Sequence, residues 1–219
     1  MSEVARDILP DWLDDILAHE YDADIDDGRR RAAGDRFWRV GRRFDSFERF
    51  YQEVVEGQEE GRLNGDNRAH SIENYWCDRP WNCLGKVVFA SAVADIGMGE
   101  TVDVVLQSMG KEHPQTGTYW QNQAHVKVKG PDGEEYGPDA PYADRVDGRG
   151  TVVEGDRIYT AREHSEDVLV PLYHLSDAKH AWANDRQEDT LDLIDEAESN
   201  DAGAAYVNRK IDEIRRFGF

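Results

Sequence analysis

Short runs of apolar and β-branched residues recur through the middle of the chain, from residue 86 to residue 175. Residues 101–106 and 124–129 alternate between apolar and polar positions, whereas residues 87–90 and 168–173 are apolar throughout. Alternation is typical of a strand with one buried face, and a short continuous apolar run is typical of a strand buried on both faces. Gly, Asp and Pro turns separate the runs. The pattern predicts an α+β protein whose core is an antiparallel β-sandwich or a small barrel.

Apolar residues take helical spacing before this core. A first stripe consists of Leu9, Trp12, Leu13, Ile16 and Leu17. A second stripe consists of Phe37, Val40, Phe44, Phe47, Tyr51 and Val54. Ser46 followed by Glu48 predicts the start of a helix that runs to about Gly57, and residues 36–44 are either the first half of that helix or a separate strand. Residues 61–85 are rich in turn formers and aromatics, which predicts an ordered but irregular segment.

The chain after residue 175 returns to a helical pattern. Ser176 is a candidate N-cap for one helix, and residues 189–198 form a second, strongly acidic helix. The apolar face of a final helix consists of Ala204, Val207, Ile211 and Ile214. The predicted organisation is a helical and irregular N-terminal arm at 1–85, a β core at 86–175 and a helical C-terminal arm at 176–219.

Charge changes the picture of the surface. The chain has 26 basic and 46 acidic residues, a net charge of −20, and only a few of its basic residues are lysine. Such a surface is similar in composition to proteins of haloarchaea and their viruses, because molar salt screens the self-repulsion of a dense acidic surface. The same charge argues against a nucleic-acid partner. No apolar run is long enough to cross a membrane, and no secretory signal is predicted at the first residues.

A basic island interrupts this acidity. Residues 1–28 carry a net charge of −9, whereas residues 29–49 carry +5. Arg29, Arg30 and Arg31 open the island, and the planar guanidinium group pairs well with carboxylates. We therefore predict that the island binds acidic surface, either of the same chain or of a neighbouring subunit.

The C-terminus is a second candidate contact with a neighbouring subunit. The chain ends with Arg215, Arg216, Phe217, Gly218 and Phe219. A left-handed glycine at position 218 would let the tail turn back after the last helix. Two phenylalanines at the end of so acidic a chain are expected to be buried, either on the parent domain or in a groove of another copy.

The two cysteines and the histidine upstream of them do not predict a metal site. Cys77 and Cys83 lie too far apart for the close pairs of zinc sites, even with His70 upstream, and two cysteines are too few for a disulfide framework. We interpret them as buried thiols of a protein made in a reducing cytoplasm.

Two further histidines, His164 and His174, fall on neighbouring strands of the predicted core. Glu163 or Asp167 would complete a metal-binding set there, although exposed strand histidines are the simpler interpretation. The sequence has no nucleophile elbow and no phosphate-binding loop. We predict no catalytic residue, no metal ligand and no cofactor.

Two functions follow from these patterns as expectations. The first is a structural subunit of a large homo-oligomeric assembly adapted to high salt, and within that class a capsid-associated, neck or tail protein of a halophilic archaeal virus. Its partners would be copies of itself and other assembly proteins, and its location the virion. The alternative is a soluble halophilic enzyme, or a protein that binds a metal or small ligand, using residues 75–83 and nearby histidines.

Overall fold

Helices account for most of the computed structural model. It describes residues 9–21, 26–57, 70–76, 81–112, 119–137, 151–153, 156–164, 168–200 and 205–218. The helices are α1 (Asp11–Glu20), α2 (Asp27–Gly41), α3 (Phe47–Phe50), α4 (Glu73–Trp76), α5 (Cys83–Ala92), α6 (Leu169–Ala183), α7 (Gln187–Ser199) and α8 (Ala205–Phe217). Two π-helical segments, Tyr51–Glu56 and Val93–Met98, continue α3 and α5. The strands are β1 (Asp103–Glu112), β2 (Tyr119–Lys129), β3 (Glu135–Tyr136), β4 (Thr151–Val153) and β5 (Asp156–His164).

The N-terminal helices follow the predicted stripes. In α1 the buried residues are Leu13, Ile16 and Leu17. Residues 36–44 were expected to be either the first half of the helix that follows or a separate strand. Residues 36–41 instead belong to α2, a separate helix that ends at Gly41. Ser46 caps α3 as predicted, because its Oγ accepts a hydrogen bond of 3.3 Å from the backbone of Arg49.

The strands form a single antiparallel sheet in the order β3-β2-β1-β5-β4, in which β1, β2 and β5 are long and the other two are short. The strands predicted at 101–106 and 124–129 correspond to β1 and β2, but burial does not alternate along them, because Val105 and Lys127 are buried as well. Val104 pairs with Val128 and Leu106 with Val126, and all four side chains are buried. Helix α5 packs against β2.

The prediction of a β-sandwich or small barrel is wrong. Residues 87–90 lie in α5, and residues 169–173 form the first turns of α6, with Ser176 inside that helix. Every residue of α5 from Leu84 to Ala92 is buried. A helix buried on all sides is apolar on all sides, so its sequence cannot be distinguished from that of a central strand by periodicity. Asn82 gives the local signal for a helix, because its side chain accepts a hydrogen bond of 2.9 Å from the backbone of Gly85.

One hydrophobic cluster joins residues from Leu9 in the N-terminal region to Ile214 in α8. Val207, Ile211 and Ile214 are all buried, as their spacing predicted. Gly218 follows α8 with φ of 78°, the predicted left-handed conformation, and its backbone N–H donates a 2.8 Å hydrogen bond to Ile214. Among the described helices, none combines the length and the apolar character needed to cross a membrane.

Candidate functional site

Histidines and carboxylates from three helices meet at the junction of α1, α6 and α7. His19 and Glu20 occupy the last turn of α1, and Glu196 lies in α7. Tyr173, His174 and Asp177 lie within adjacent turns of α6, where residues three and four apart share a face. His70, just before α4, completes the group. We call these residues, with Ser71, the histidine cluster.

Asp177 is the centre of the histidine cluster. Its Oδ2 lies 2.7 Å from His19 Nε2, and its Oδ1 lies 2.9 Å from His70 Nε2. Its side chain is only 6% exposed. A carboxylate oxygen accepts, so the Nε2 atoms of both histidines donate. When the imidazole is neutral, its Nδ1 then carries no proton. The Nδ1 atoms of His19 and His70 can therefore bind a metal ion or accept a hydrogen bond.

His19, His174 and Glu196 bring three ligand atoms together. His174 Nδ1 lies 3.1 Å from Glu196 Oε2, and His19 Nδ1 lies 3.8 Å from the same oxygen. All three ligand atoms lie within 4.8 Å of one another. The imidazole rings of His19 and His174 meet edge to face, with centroids 4.5 Å apart.

His174 Nδ1 is buried and has no hydrogen-bond partner among the described residues. Burial and, to a smaller extent, the neighbouring His19 together lower the pKa of His174 to about 4, against the opposing effect of Asp177. His174 is therefore neutral at pH 7, which is the protonation state that binds a metal. Its Nδ1 lies 3.1 Å from Glu196 Oε2, but the geometry of this contact does not meet that of a hydrogen bond.

The spacing of these atoms fits a small divalent cation. Bonds of about 2.1 Å in a tetrahedral site separate the ligand atoms by about 3.4 Å. Two of the three separations, 3.1 Å and 3.8 Å, lie on either side of that value, and the third is no larger than 4.8 Å. The Glu196 side chain is 52% exposed and that of His174 only 8%, so the group opens to solvent on the α7 side.

Hydrogen bonds around Glu20 hold the other side of the histidine cluster. Tyr173 Oη donates to Glu20 Oε1, and Ser71 Oγ donates to Glu20 Oε2 at 3.1 Å. The ring of Tyr173 also packs edge to face on His70, with centroids 4.7 Å apart. These contacts fix the side-chain orientation of His70, whose own Nδ1 is buried without a hydrogen-bond partner in the described part of the chain.

The predicted basic island lies elsewhere. Arg30 forms a bidentate pair with Asp14 of α1, with N–O distances of 2.6 Å and 3.1 Å. The guanidinium of Arg29 lies 5.7 Å from the ring centroid of Tyr21, and Arg31 is exposed. The island therefore binds acidic and aromatic groups of its own chain, while its contact with another subunit stays a prediction.

The predicted C-terminal contacts are also separate from the histidine cluster. Arg215 pairs with Asp195 at 2.8 Å and with Glu198 at 2.6 Å, both in α7 of the same chain. Arg216 is exposed. The side chains of Phe217 and Phe219 lie outside the described residues.

Of the histidines and cysteines weighed in the sequence, the structure brings His70 and His174 together. His174 lies in a helix and not in a strand, and its partners are His19 and Glu196. The side chain of His164 and all of Cys77 lie outside the described residues, and Cys83 is half-buried in the first turn of α5.

The sequence analysis did not identify His19, Asp177 or Glu196 as site residues. The available signal was the spacing of His174 and Asp177, which share a helix face at i and i+3 but face opposite sides of a strand. That signal was lost when residues 168–173 were interpreted as a strand.

Comparison of the chain with protein-family models, with curated proteins and with solved structures gives no match.

Proposed function

We propose that this chain binds a divalent transition-metal ion of the zinc class through His19, His174 and Glu196. One observation carries the proposal: Nδ1 of His174 is buried, makes no hydrogen bond within the described residues and lies 3.1 Å from Glu196 Oε2, with His19 beside both. A cation at the centre would bind both electron-rich atoms and remove their mutual repulsion.

Asp177 supports this assignment as an orienting residue. Metal-binding histidines usually donate their second ring nitrogen to a carboxylate, which fixes the tautomer and makes the ring a better ligand. The 2.7 Å contact from His19 Nε2 to Asp177 is such an arrangement, and it directs the Nδ1 lone pair of His19 toward Glu196.

The donor set selects the kind of metal. Two imidazole nitrogens and one carboxylate suit Zn²⁺, Co²⁺ or Ni²⁺, whereas Mg²⁺ and Ca²⁺ prefer oxygen ligands only. Three protein ligands with an opening to solvent match zinc sites that keep their fourth position for water. When bound, such a metal lowers the pKa of that water to about 7 and supplies a nucleophile for hydrolysis. The reaction class that the donor set supports is therefore metal-assisted hydrolysis.

A metal titration of the full chain tests the proposal. The protein is stripped with a chelator and titrated with Co²⁺, followed by visible absorption, and with Zn²⁺, followed by calorimetry. We expect one ion per chain, and His174→Ala and Glu196→Gln should each weaken binding by roughly a hundredfold or more. His180→Ala, further along α6, and Glu188→Gln, on the exposed face of α7, are the matched controls and should bind as the wild type does.

Two results would overturn the metal assignment. One is a wild-type chain, folded by circular dichroism, that takes up no Co²⁺ or Zn²⁺. The other is binding that neither His174→Ala nor Glu196→Gln weakens. Because Glu196 is half-exposed, its replacement by the isosteric Gln does not disturb the core, and this variant separates lost ligation from lost folding.

As a second function, we propose that the chain is a subunit of a homo-oligomeric assembly adapted to high salt, with the virion as its location. Support comes from the charge pattern and from two large apolar side chains on the surface, Trp182 at 44% and Leu191 at 61% exposure. Scattered exposed apolar residues are common, so this support is weaker than that for the metal site. Molar mass by light scattering at about 2 M KCl tests it: a ring or shell multiple supports the proposal, and a monomer removes it.

A further inference from the structure

Three arginines of α2 and of the turn after it form an exposed stripe. Arg36 and Arg39 lie three positions apart and share a face of α2. Arg43 follows in the turn that closes the helix, where its backbone N–H donates a 3.1 Å hydrogen bond to Val40. All three side chains are exposed, and none forms an ion pair with a described residue. We call these three residues the arginine stripe.

Arginines without an acidic partner are unexpected in this chain. Its 46 acidic residues outnumber its 26 basic ones, so carboxylates are plentiful. Four other arginines bind carboxylates at 2.6 to 2.9 Å, namely Arg30, Arg49, Arg186 and Arg215. Like charges that share a helix face repel each other, so the arginine stripe is unfavourable until negative charge comes close to it. It therefore indicates a partner that supplies carboxylates or phosphates.

Indole rings orient the guanidinium groups at this surface. The guanidinium of Arg36 lies 5.1 Å from the ring centroid of Trp76, and that of the neighbouring Arg42 lies 5.7 Å from the ring centroid of Trp38. Both indoles are partly buried and pack against the hydrophobic core. A cation that is oriented before binding loses less conformational entropy when it binds. Arg36 is therefore preorganised for an anionic partner.

One face of α7 has the complementary character. Its residues recur at i, i+3, i+7 and i+10 and are all exposed: Glu188, Leu191, Asp195 and Glu198. Arg215 of the same chain binds Asp195 and Glu198. Glu188 forms no ion pair with a described residue, and Leu191 is 61% exposed. The second half of the face thus already binds an arginine, and the first half is open to one from another molecule.

We propose that the arginine stripe of one copy docks on the first half of the α7 face of a second copy. Arg36 and Arg39 bind Glu188 there, and their methylene stems pack on Leu191. The two helices, of 15 and 13 residues, are about 22 and 20 Å long, so the faces match in length. Because two different faces meet, the contact repeats from copy to copy and gives a ring or an open chain. This inference rests on the proposed homo-oligomeric assembly and names its interface.

Nucleic acid is the other polyanion that a row of arginines can bind. Its phosphate contacts lose affinity steeply as salt rises, because counterion release then contributes less. At low salt, the net charge of −20 repels it. An arginine–carboxylate pair that is buried beside Leu191 is screened much less in molar salt than an exposed pair. The salt range of the proposed assembly therefore favours a second copy of this chain.

A charge exchange between the two faces tests the contact. One variant carries Arg36→Glu and Arg39→Glu, and the other carries Glu188→Arg. Each alone should stay folded by circular dichroism and be a monomer by light scattering at about 2 M KCl. An equimolar mixture should again give a mass above the monomer, because every contact between alternating variants then pairs Arg with Glu. Arg49→Glu with Lys179→Glu makes the same change in net charge on α3 and α6, and this control should assemble as the wild type does.

The outcomes separate this interface from the assembly itself. A monomeric wild type would remove both. A wild type that assembles, with either variant assembling alone as it does, would overturn the interface and leave the assembly standing. Two monomeric variants whose mixture stays monomeric would also overturn the pairing of these faces. Labelled duplex DNA that binds the wild type at about 0.1 M KCl, but not the variant with Arg36→Glu and Arg39→Glu, would assign the arginine stripe to nucleic acid.

Discussion

His19 and Asp177 are separated by 158 residues in sequence, yet His19 Nε2 lies 2.7 Å from Asp177 Oδ2. The contact joins the last turn of α1 to the buried face of α6. Asp177 also accepts from His70, so one buried carboxylate fixes two imidazoles from distant parts of the chain. The contact thus links the packing of the core to the orientation of the proposed ligand His19.

Replacing Asp177 with Asn should impair both stability and metal binding. The amide nitrogen would face an N–H of one histidine, and that buried donor would lose its acceptor at a cost of about 1–3 kcal/mol in the free energy of unfolding. Loss of the orienting carboxylate should also weaken Co²⁺ binding by roughly 10- to 100-fold. Chemical denaturation of the apo protein measures the first effect and absorption titration the second.

Asp192→Asn, on the exposed face of α7, is the matched control and should change neither quantity. An Asp177→Asn protein with wild-type stability in the apo state would show that this carboxylate does not hold the histidines. Reduced stability with unchanged Co²⁺ affinity would limit Asp177 to a structural role.

Elements whose residues keep a period could be predicted from sequence, and those that are apolar throughout could not. The stripe of α1 separates a buried face from a more exposed one, and the alternation of apolar and polar residue types identifies β1 and β2, although Val105 and Lys127 are buried as well. Residues 87–90 and 169–173 are buried on every side, and no period remains to separate helix from strand. The spacing of His174 and Asp177 could have related these two residues once α6 was known to be a helix, but contacts between distant parts of the chain, such as that of His19 with Asp177, leave no signal in sequence spacing.

A close approach of two glycines holds α2 against the π-helical segment after α5. A Cβ atom built on Gly97 would lie 2.7 Å from the carbonyl oxygen of Phe37 and 2.8 Å from Cα of Gly41. Because both neighbours are backbone atoms, Gly97→Ala must push the two helices apart and should cost about 1–3 kcal/mol. Urea or guanidinium denaturation at a fixed salt concentration measures the loss.

Gly57→Ala is the control for the loss of a glycine. Gly57 has φ of −69° and nothing within 4 Å of a built Cβ, so alanine fits there. It should leave the stability unchanged or raise it by about 0.4–1 kcal/mol, because it restricts the unfolded chain. Equal stabilities for the two variants would show that the approach of Gly41 and Gly97 is not tight in solution.

Alkaline pH should destabilise the fold through buried tyrosine. Burial raises the pKa of Tyr51 above its ordinary value of 10.0, and the negative charge of Glu56 raises it further. The folded state thus favours the neutral phenol. Its contribution to the free energy of unfolding is complete below pH 10 and is lost as the pH rises through the raised pKa. Each such tyrosine should lower the free energy of unfolding by about 1.4 kcal/mol per pH unit above 10.

Tyr51→Phe removes this titration while keeping the ring. Denaturation between about pH 9 and pH 11 should show a smaller decline for Tyr51→Phe than for the wild type. Parallel declines would mean that Tyr51 does not titrate differently in the folded and unfolded states.

Salt should stabilise the protein. A net charge of −20 repels itself at low ionic strength, and the Debye length falls from about 10 Å at 0.1 M salt to about 3 Å at 1 M. The melting temperature should therefore rise markedly between about 0.1 M and 2 M KCl. A flat or falling melting temperature over this range would remove the proposed adaptation to high salt.

The end of α8 is held within its own chain by two contacts. Arg215 binds Asp195 and Glu198 of α7, and the backbone of Gly218 closes the helix by bonding to Ile214. Gly218 also lies close to the exposed ring of Trp182, since a Cβ built on it would lie 3.4 Å from that ring. Gly218 therefore lies at a surface where the apolar side chain of Trp182 is exposed.

Deletion of residues 217–219 tests whether this end joins one subunit to another. The buried face of α8, formed by Val207, Ile211 and Ile214, remains in the truncated chain, so we expect it to fold with its helical circular dichroism intact. Burying each phenylalanine is worth roughly 1.5–3 kcal/mol, and that free energy should be lost from the contact between subunits. Light scattering at about 2 M KCl should then give a monomer where the full chain assembles.

A truncated chain that assembles as the full chain does would show that the terminal phenylalanines do not form the contact. A truncated chain that fails to fold would show that they pack on their own domain.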